Sequence, residues 1–413
     1  MKKVVIVIGG GAAGMIAAWK ATENGNEVHI YEKNNKLGKK IYITGKGRCN
    51  ITNNCDVEEF MENIPGNPYF LYSALYSFDS EKTIEFFNNI GLETKVERGN
   101  RVFPLSDKAG DVVSALEKHL KKLKIKIHLE TAIKDVLVEN GVAKGVISAK
   151  GEKIFSDSVI VATGGLSYPL TGSTGDGYRF AKGAGHSVTP LYPSLVPLRT
   201  KEKWCSELMG LSLKNIKVTI KDKNGKKLYD DFGEMLFTHY GVSGPVILSA
   251  SRHVIGKLDG KTVVSIDLKP ALDEKTLDDR ILRDFQKYIN KNFANSLDDI
   301  LPQKLIPVIV ELSGIPKNKK IHDISKEERK SLVKLLKGLT VTPIDTVGYS
   351  EAVITSGGIN INEINPSTME SKLIQGLFFV GEVLDVDAYT GGFNLQIAYS
   401  TGFLAGDNAC KEG

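Results

Sequence analysis

The sequence predicts an α/β fold in which one discontinuous domain, built on a parallel sheet, is interrupted by a β-rich and a helical insertion. The first observation is the order strand, glycine turn, helix and strand near the start, at Val4–Ile8, Ala12–Asn24 and Glu27–Tyr31. Two more apolar runs, Ser158–Ala162 and Leu377–Val380, are typical of buried parallel strands. The β-rich and helical patterns lie between these two runs.

These patterns set the expected domain bounds. We expect a discontinuous domain at residues 1–190 and 341–413, a β-rich inserted domain at 191–270 and a helical inserted domain at 271–340. Asn224-Gly225 predicts a hairpin turn within the β-rich insertion. In the discontinuous domain, residues 33–55 are expected to form a long loop and residues 57–122 to be mostly helical.

The composition excludes several classes of protein. A hydrophobic fraction of 41% and a charged fraction of 25% are ordinary for a globular chain, so disorder is not expected. The net charge is only +5 and the lysines are scattered, so we expect a small-molecule substrate and no nucleic acid. No apolar run reaches the ~18 residues of a membrane span.

Cysteine usage points to a reducing compartment. The four cysteines form no C-x-x-C pair, which argues against a disulfide framework and against a metal site. A cytoplasmic location is therefore expected. The oligomeric state is left open by the sequence.

The first chemical motif follows the first strand and has the pattern G-x-G-x-x-G. It contains Gly9, Gly11, Ala12, Ala13 and Gly14. Its glycines allow a tight turn, a close approach of a pyrophosphate and close packing of helix on strand, while the helix N-terminus favours phosphate. Glu32 closes the second strand, where a carboxylate binds ribose hydroxyls. This combination predicts a Rossmann-like site for NAD or FAD.

The C-terminal region favours FAD. Gly376-Leu-Phe-Phe-Val-Gly381-Glu382 is similar to a second FAD fingerprint, in which the carboxylate bonds the ribityl chain. A second glycine turn opens the last helix, with candidate contacts at Gly392, Asn394, Leu395 and Gln396. Amides at this turn would stabilise reduced flavin. Thr163 and Gly164 follow a strand that turns beneath the cofactor in flavoproteins.

A basic, glycine-rich loop supplies further candidate FAD contacts. They are Lys33, Lys39, Lys40, Arg48, Cys49 and Asn50. Glycines beside fixed positive charge suit phosphate or flavin. Cys49 has two interpretations, a redox thiol or an inert packing residue, and its lack of a partner cysteine at C-x-x-C spacing favours the second.

These segments together resemble a bacterial FAD-dependent family. Its signature is similar to Gly38-Lys39-Lys40 through Arg48-Cys49-Asn50, and further matches are Arg101–Ala109, Tyr168–Gly177, Thr238–Pro245 and Thr355–Gly358. The family includes aminoacetone oxidase and 3-dehydro-bile-acid Δ4,6-reductase. The resemblance implies a Rossmann-like FAD-binding domain with an inserted β-barrel-like domain and an inserted helical domain. FAD would be bound non-covalently.

The candidate catalytic residues are His239, Tyr389 and Arg48. His239 is either an acid/base or a structural histidine, and Tyr389 either bonds a substrate carbonyl or walls the pocket. Arg101 either clamps a carboxylate or forms a surface salt bridge. Because the chain has one G-x-G-x-x-G motif, NAD(P)H would dock transiently at the flavin face.

Three functions follow. The leading one is an oxidoreductase that passes electrons from NAD(P)H through FAD to an unsaturated carbonyl compound, in line with the steroid-like substrate that the resemblance implies. The second is an oxidase that takes electrons from a small amine or amino-ketone and gives them to O₂. The third is an RNA-associated flavoprotein, which the pI of 8.7 permits.

Overall fold

The chain divides into two compact units. In the computed structural model, which describes residues 2–258 and 260–411, the first unit comprises Met1–Pro193 and Tyr349–Gly413, and the second is Ser194–Gly348.

The strands and helices are numbered along the chain. The strands are β1 (Val4–Ile8), β2 (Glu27–Tyr31), β3 (Thr52–Asn53), β4 (Thr94–Glu97), β5 (Arg101–Pro104), β6 (Lys126–His128), β7 (Ile133–Glu139), β8 (Val142–Ser148), β9 (Lys153–Phe155), β10 (Ser158–Val161), β11 (Tyr192–Ser194), β12 (Leu198–Thr200), β13 (Ser212–Lys221), β14 (Lys227–Thr238), β15 (Gly241–Ser243), β16 (Val263–Asp267), β17 (Leu339–Val341), β18 (Pro343–Thr346), β19 (Ile354–Ser356) and β20 (Leu377–Phe379). The helices are α1 (Ala12–Glu23), α2 (Val57–Glu62), α3 (Tyr72–Ser77), α4 (Ser80–Asn89), α5 (Ala109–Lys122), α6 (Asp176–Gly183), α7 (Trp204–Glu207), α8 (Pro245–Val254), α9 (Glu274–Lys287), α10 (Ile306–Ser313), α11 (Lys326–Lys337) and α12 (Phe393–Asn408).

A five-stranded parallel sheet organises the first unit. Its order is β20-β10-β1-β2-β6, and every neighbouring pair is parallel. The runs β1 and β10 are almost wholly buried because helices or loops cover both faces of such a sheet. The predicted strands Val4–Ile8, Glu27–Tyr31, Ser158–Ala162 and Leu377–Val380 are therefore confirmed, to within one residue at two C-terminal ends.

Two helices from opposite ends of the chain pack against each other on this sheet. Helix α1 is rich in alanine, a strong helix former, and ends just before Gly25. Helix α12 carries Gly402 and Gly406 one turn apart. A Cβ built on Gly402 would lie 2.4 Å from the carbonyl oxygen of Ala13, and one on Gly406 would lie 2.4 Å from that of Ala17. The two backbones approach closely because both positions lack a side chain.

One hairpin of the first unit was not predicted. Residues 57–122 are mostly helical, as expected, but β4 and β5 interrupt the helices as an antiparallel hairpin in which Thr94 faces Pro104 and Glu97 faces Arg101. The short β3 joins the edge of β5. The hairpin buries Val102 and Phe103, whereas Val96 on β4 remains exposed. The apolar side chains therefore lie mainly on one strand, which weakened the alternating pattern of the pair.

The second unit is built on a seven-stranded antiparallel sheet. Its order is β17-β16-β13-β14-β15-β12-β18. The long hairpin of β13 and β14 turns at Asn224-Gly225, as predicted, with Gly225 at a φ of +80°. Helices α9, α10 and α11 follow, and a capping box between Ser325 and Glu328 begins α11. The division of this unit into β-rich and helical domains stays a prediction.

We expect Gly406→Ala to lower the free energy of unfolding by about 1–3 kcal/mol, because the added methyl group would overlap the Ala17 carbonyl. Urea or thermal unfolding checks this value. Gly110→Ala, in helix α5, is the matched control. A Cβ at Gly110 would lie 3.5 Å from its nearest atom, on Tyr42, which is an ordinary van der Waals contact. That change should be neutral or stabilise by up to about 1 kcal/mol. Equal stability of the two variants would contradict the close helix contact.

Candidate functional site

The glycines of the turn between β1 and α1 have different roles. Gly9 has a φ of +102°, and a Cβ there would lie 2.5 Å from the carbonyl oxygen of Ala162. A Cβ on Gly14 would lie 2.0 Å from the carbonyl oxygen of Gly9. A Cβ on Gly11, by contrast, would meet no atom within 4 Å. Gly9 and Gly14 are thus needed for packing, while Gly11 borders open space.

The N-terminus of α1 opens onto this space. The N–H groups of its first turn, from Ala12 onward, have no partner within the helix. The N-cap residue Gly11 offers no side chain to them, and the first turn contains no acidic residue. The end of the helix therefore carries an unneutralised partial positive charge, which favours an anion.

Glu32 is buried and firmly oriented at the end of β2. Its Oε2 accepts a hydrogen bond from the Gly10 amide at 2.8 Å. Its Oε1 accepts from the backbone and side-chain nitrogens of Asn34, at 2.8 and 2.7 Å. A carboxylate accepts about four hydrogen bonds, so Glu32 keeps capacity for a ligand hydroxyl.

Glu382 is held in the same way at the end of β20. It follows Gly381, whose Cβ would lie 3.0 Å from the side chain of Ala13 at the start of α1. Its carboxylate forms an ion pair with Lys40 and accepts hydrogen bonds from the Ser167 hydroxyl and the Thr355 amide. Residues from four distant segments therefore meet at this carboxylate.

The other predicted lysines bind protein groups. Lys33 pairs with Asp176 at 2.7 Å and also donates to Thr174. Lys39 donates to the side-chain oxygen of Asn34 at 3.0 Å. Lys33 is thus fixed to the start of α6, and Lys39 to the segment that follows β2.

Arg48 is bound to two carboxylates. Its guanidinium pairs with Glu97 and Asp107 and lies over the ring of Phe103, 4.0 Å from the ring centroid. These hydrogen bonds raise the pKa of Arg48. The side chain therefore fixes the basic loop to the β4–β5 hairpin, with its charge balanced.

Three buried polar groups lie in the predicted FAD-contact segments. Cys49 is fully buried at a φ of +61°, and burial raises the pKa of its thiol to about 12. Within residues 2–258 and 260–411, the side-chain oxygens of Asn50 and Thr163 are buried without a hydrogen-bond partner. Because an unsatisfied buried oxygen costs free energy, a bound group that donates hydrogen bonds to these two atoms would be stabilised. Gly164, with a φ of +70°, follows Thr163.

The turn before α12 packs directly on β3. A Cβ on Gly392 would lie 2.4 Å from the carbonyl carbon of Thr52. Asn394 holds the preceding loop by accepting from the Ala388 amide at 2.9 Å and donating to its carbonyl at 2.7 Å.

Further along α12, side chains serve the core. The Gln396 amide accepts from the Thr52 hydroxyl at 2.6 Å and donates to the carbonyl of Phe78. Leu395 is half-buried against the core. Because the side chains of Asn394 and Gln396 bind protein groups, the groups that this turn presents to a ligand are its backbone amides.

The predicted catalytic residues lie in different units. Tyr389 is half-buried in the loop before α12, where its amide donates to the carbonyl of Asn63 at 3.0 Å. His239 is exposed in the turn between β14 and β15 of the second unit, with its ring 4.5 Å from that of Tyr240. Arg101, at the first position of β5, is exposed.

Three residues that complete the site were not predicted from the sequence. Ser167 and Thr355 bind Glu382, and Asn53 donates from one side-chain nitrogen to the carbonyls of Gly99 and Gly391, each at 3.1 Å. Thr355 lies in the buried strand β19 and begins a Thr-Ser-Gly-Gly run, a sequence pattern from which its role could have been predicted. Nothing near Asn53 in the sequence points to Gly391.

Comparisons with known proteins identify the family. The HI0933-like protein Rossmann domain matches residues 3–408. The chain belongs to this family. It is 34% identical to the 3-dehydro-bile acid delta(4,6)-reductase of Clostridium scindens, over 98% of both chains. It is also 33% identical to the ribosomal RNA dihydrouridine synthase of Haemophilus influenzae, over 96% of both chains.

Solved structures agree on the fold. The 3-ketosteroid delta1-dehydrogenase of Sterolibacterium denitrificans superposes with a TM-score of 0.56 at 14% identity, covering 99% of both chains. The predicted class and fold are confirmed: the chain of this HI0933-like protein is an FAD-dependent oxidoreductase with a Rossmann-type FAD-binding domain.

Two features are absent from residues 2–258 and 260–411. No helix there has the length and apolar character to cross a membrane. No group of three or more His, Cys, Asp or Glu side chains there is arranged to hold a metal ion.

We expect Cys49 to stay unmodified when the folded protein is treated with iodoacetamide at pH 8, because its thiol is buried and protonated. Peptide mapping by mass spectrometry measures the labelling. The same protein unfolded in guanidinium is the control and should be labelled fully. Rapid labelling in the folded state would instead support a redox thiol.

Proposed function

We propose that this protein saturates a carbon–carbon double bond conjugated to a carbonyl group, with NAD(P)H as the electron donor. The similarity to two relatives carries this proposal. A delta(4,6)-reductase of a 3-dehydro bile acid and a dihydrouridine synthase are named for different substrates. Both names describe the same bond change, because the C5=C6 bond of uracil, like the double bonds of a 4,6-dien-3-one, is conjugated to a carbonyl.

The residues of the first unit fit FAD. The open space at Gly11 and the free amides of α1 suit the pyrophosphate, and Glu32 suits the adenosine ribose. Glu382 suits the ribityl chain, and the turn at Gly392 the pyrimidine edge of the flavin. The unpartnered oxygens of Asn50 and Thr163 are acceptors for a buried donor. Bound FAD would supply two-electron transfer between the nicotinamide and the substrate.

The protein must supply the proton for this reaction. The overall change adds one hydride and one proton across the C=C bond, and NAD(P)H is oxidised to NAD(P)⁺. Tyr389 is our candidate donor, because its backbone is fixed on both sides, by Asn63 and by the side chain of Asn394, next to the turn before α12. A phenol hydrogen-bonded to the substrate carbonyl or placed over its α-carbon would perform this role.

Two substrates fit this bond change. A steroid-like enone is the first candidate, in line with the relative in C. scindens. Uracil in ribosomal RNA is the second, favoured by the relative in H. influenzae and by the charge of the second unit. That unit contains 27 Lys and Arg against 20 Asp and Glu, whereas the first unit contains 27 against 29. Positive charge concentrated in one unit favours a polyanionic partner.

The test is anaerobic titration of the FAD-loaded protein with NADH and then NADPH. We expect rapid bleaching of the flavin bands, followed by recovery of the colour on addition of an unsaturated 3-oxo steroid or of an in vitro transcript of ribosomal RNA. If neither NADH nor NADPH reduces the flavin but an amine does, the protein is instead an amine oxidase.

For Tyr389→Phe we expect turnover of the unsaturated substrate to fall by about 10²-fold or more, the usual loss for a general acid. Flavin reduction by NADPH should be unchanged, because that step needs no proton from Tyr389. Stopped-flow absorbance separates the two half-reactions. His239→Asn is made in parallel, since His239 remains the alternative acid, and a loss confined to that variant would transfer the role to it.

A further inference from the structure

The β4–β5 hairpin, which interrupts the helices of residues 57–122, carries two exposed arginines at its tip. Arg98 follows β4, and Arg101 begins β5 after Gly99 and Asn100. The Nε of Arg101 donates to the carbonyl of Arg98 at 3.0 Å, so the tip is closed by its own side chain. The two arginines thus belong to one ordered turn.

This tip is tied to the glycine turn before α12. The side-chain nitrogen of Asn53 donates to the carbonyl of Gly99 and to that of Gly391, both at 3.1 Å. Asn53 also lies directly opposite Arg101 in the antiparallel pairing of β3 and β5. Paired residues leave an antiparallel sheet on the same face, so the side chain of Arg101 leaves on the face from which Asn53 reaches Gly391.

The charges on this side of the hairpin do not cancel. Two other cations, Arg48 and Lys95, are both engaged by Glu97 and Asp107. Within the described residues, neither Arg98 nor Arg101 has a carboxylate within ion-pairing distance. The carboxylates near the hairpin are thus taken up by the inner cations, and the two outer guanidiniums keep their charge.

We propose that Arg98 and Arg101 bind an oxyanion of the substrate and so position its reacting double bond at the flavin. This inference rests on the proposed function, because it places the flavin at the turn next to Gly391. A guanidinium binds carboxylate and phosphate oxygens alike through paired N–H donors. The oxyanion is therefore either the side-chain carboxylate of a steroid-like acid or a phosphate of an RNA strand.

The experiment measures binding on the oxidised FAD-loaded protein, so that it does not depend on turnover. Two probes are titrated while the flavin absorbance is followed: an unsaturated 3-oxo cholanoic acid, with its methyl ester alongside, and an in vitro transcript of bacterial ribosomal RNA. The flavin bands change only when the probe binds near the flavin. Attraction of the probe to distant charges on the protein does not change them. Filter binding gives a second Kd for the transcript.

The variants are Arg98→Gln, Arg101→Gln and the double substitution. We expect each single change to raise the Kd of the anionic probe about 10-fold, the usual effect of losing one charge-assisted hydrogen bond. The double variant Lys118→Gln/Lys121→Gln is the matched control, because it removes two exposed charges from α5 in the same unit. It should bind the probe as the unsubstituted protein does.

Each outcome either supports or contradicts the binding of an oxyanion by Arg98 and Arg101. Weaker binding of the acid but unchanged binding of its ester assigns the oxyanion to a carboxylate, and weaker binding of the transcript assigns it to a phosphate. Equal loss in the α5 control and the arginine variants, unchanged binding in the arginine variants, or no flavin response to either probe overturns the proposal. Failure of the proposed function is distinct, because it appears as flavin that NADH and NADPH leave oxidised in every variant.

Discussion

The contact between α1 and α12 is the constraint on which the rest of the first unit depends. At Gly402 and Gly406 the backbone of α12 lies against the carbonyls of Ala13 and Ala17, closer than any side chain allows. The same packing brings Gly381 to the start of α1. The beginning and the end of the chain therefore share one surface, and neither could form the site alone.

Around this contact the charged groups are organised mainly by pairing within the protein. Lys40 neutralises Glu382, Lys33 neutralises Asp176, and Arg48 is shared between two carboxylates. Such pairs are partly buried and ordered, so they set positions before any ligand arrives. Other polar groups have no such partner. They are the first amides of α1, the side-chain oxygens of Asn50 and Thr163, and the guanidiniums of Arg98 and Arg101, which lack a carboxylate partner among the described residues.

The features predicted best from the sequence are those that depend on the conformational preferences of a few neighbouring residues. The turn at Gly9–Gly14 and the hairpin at Asn224-Gly225 have conformations that only a few residue types allow, so their positions could be predicted from the local sequence alone. The pairing of Lys40 with Glu382 spans 342 positions, and that of Asn53 with Gly391 spans 338. No local pattern encodes such contacts. They arise from tertiary packing, which also explains why Lys40 and Arg48 were predicted as ligand contacts without their carboxylate partners.

The discontinuity of the first unit has a consequence for biosynthesis. The central strand β1 pairs with β10, β10 pairs with β20, and both β20 and α12 follow the second unit in the chain. During translation the second unit, Ser194–Gly348, is complete before the first unit has its final strand and helix. Residues 2–193 therefore leave the ribosome with an unfinished sheet and an uncovered α1, whose apolar surface must be protected until α12 emerges. The proposed FAD site, which joins Gly9–Gly14 to Glu382, is therefore complete only after segments on both sides of the second unit have been made.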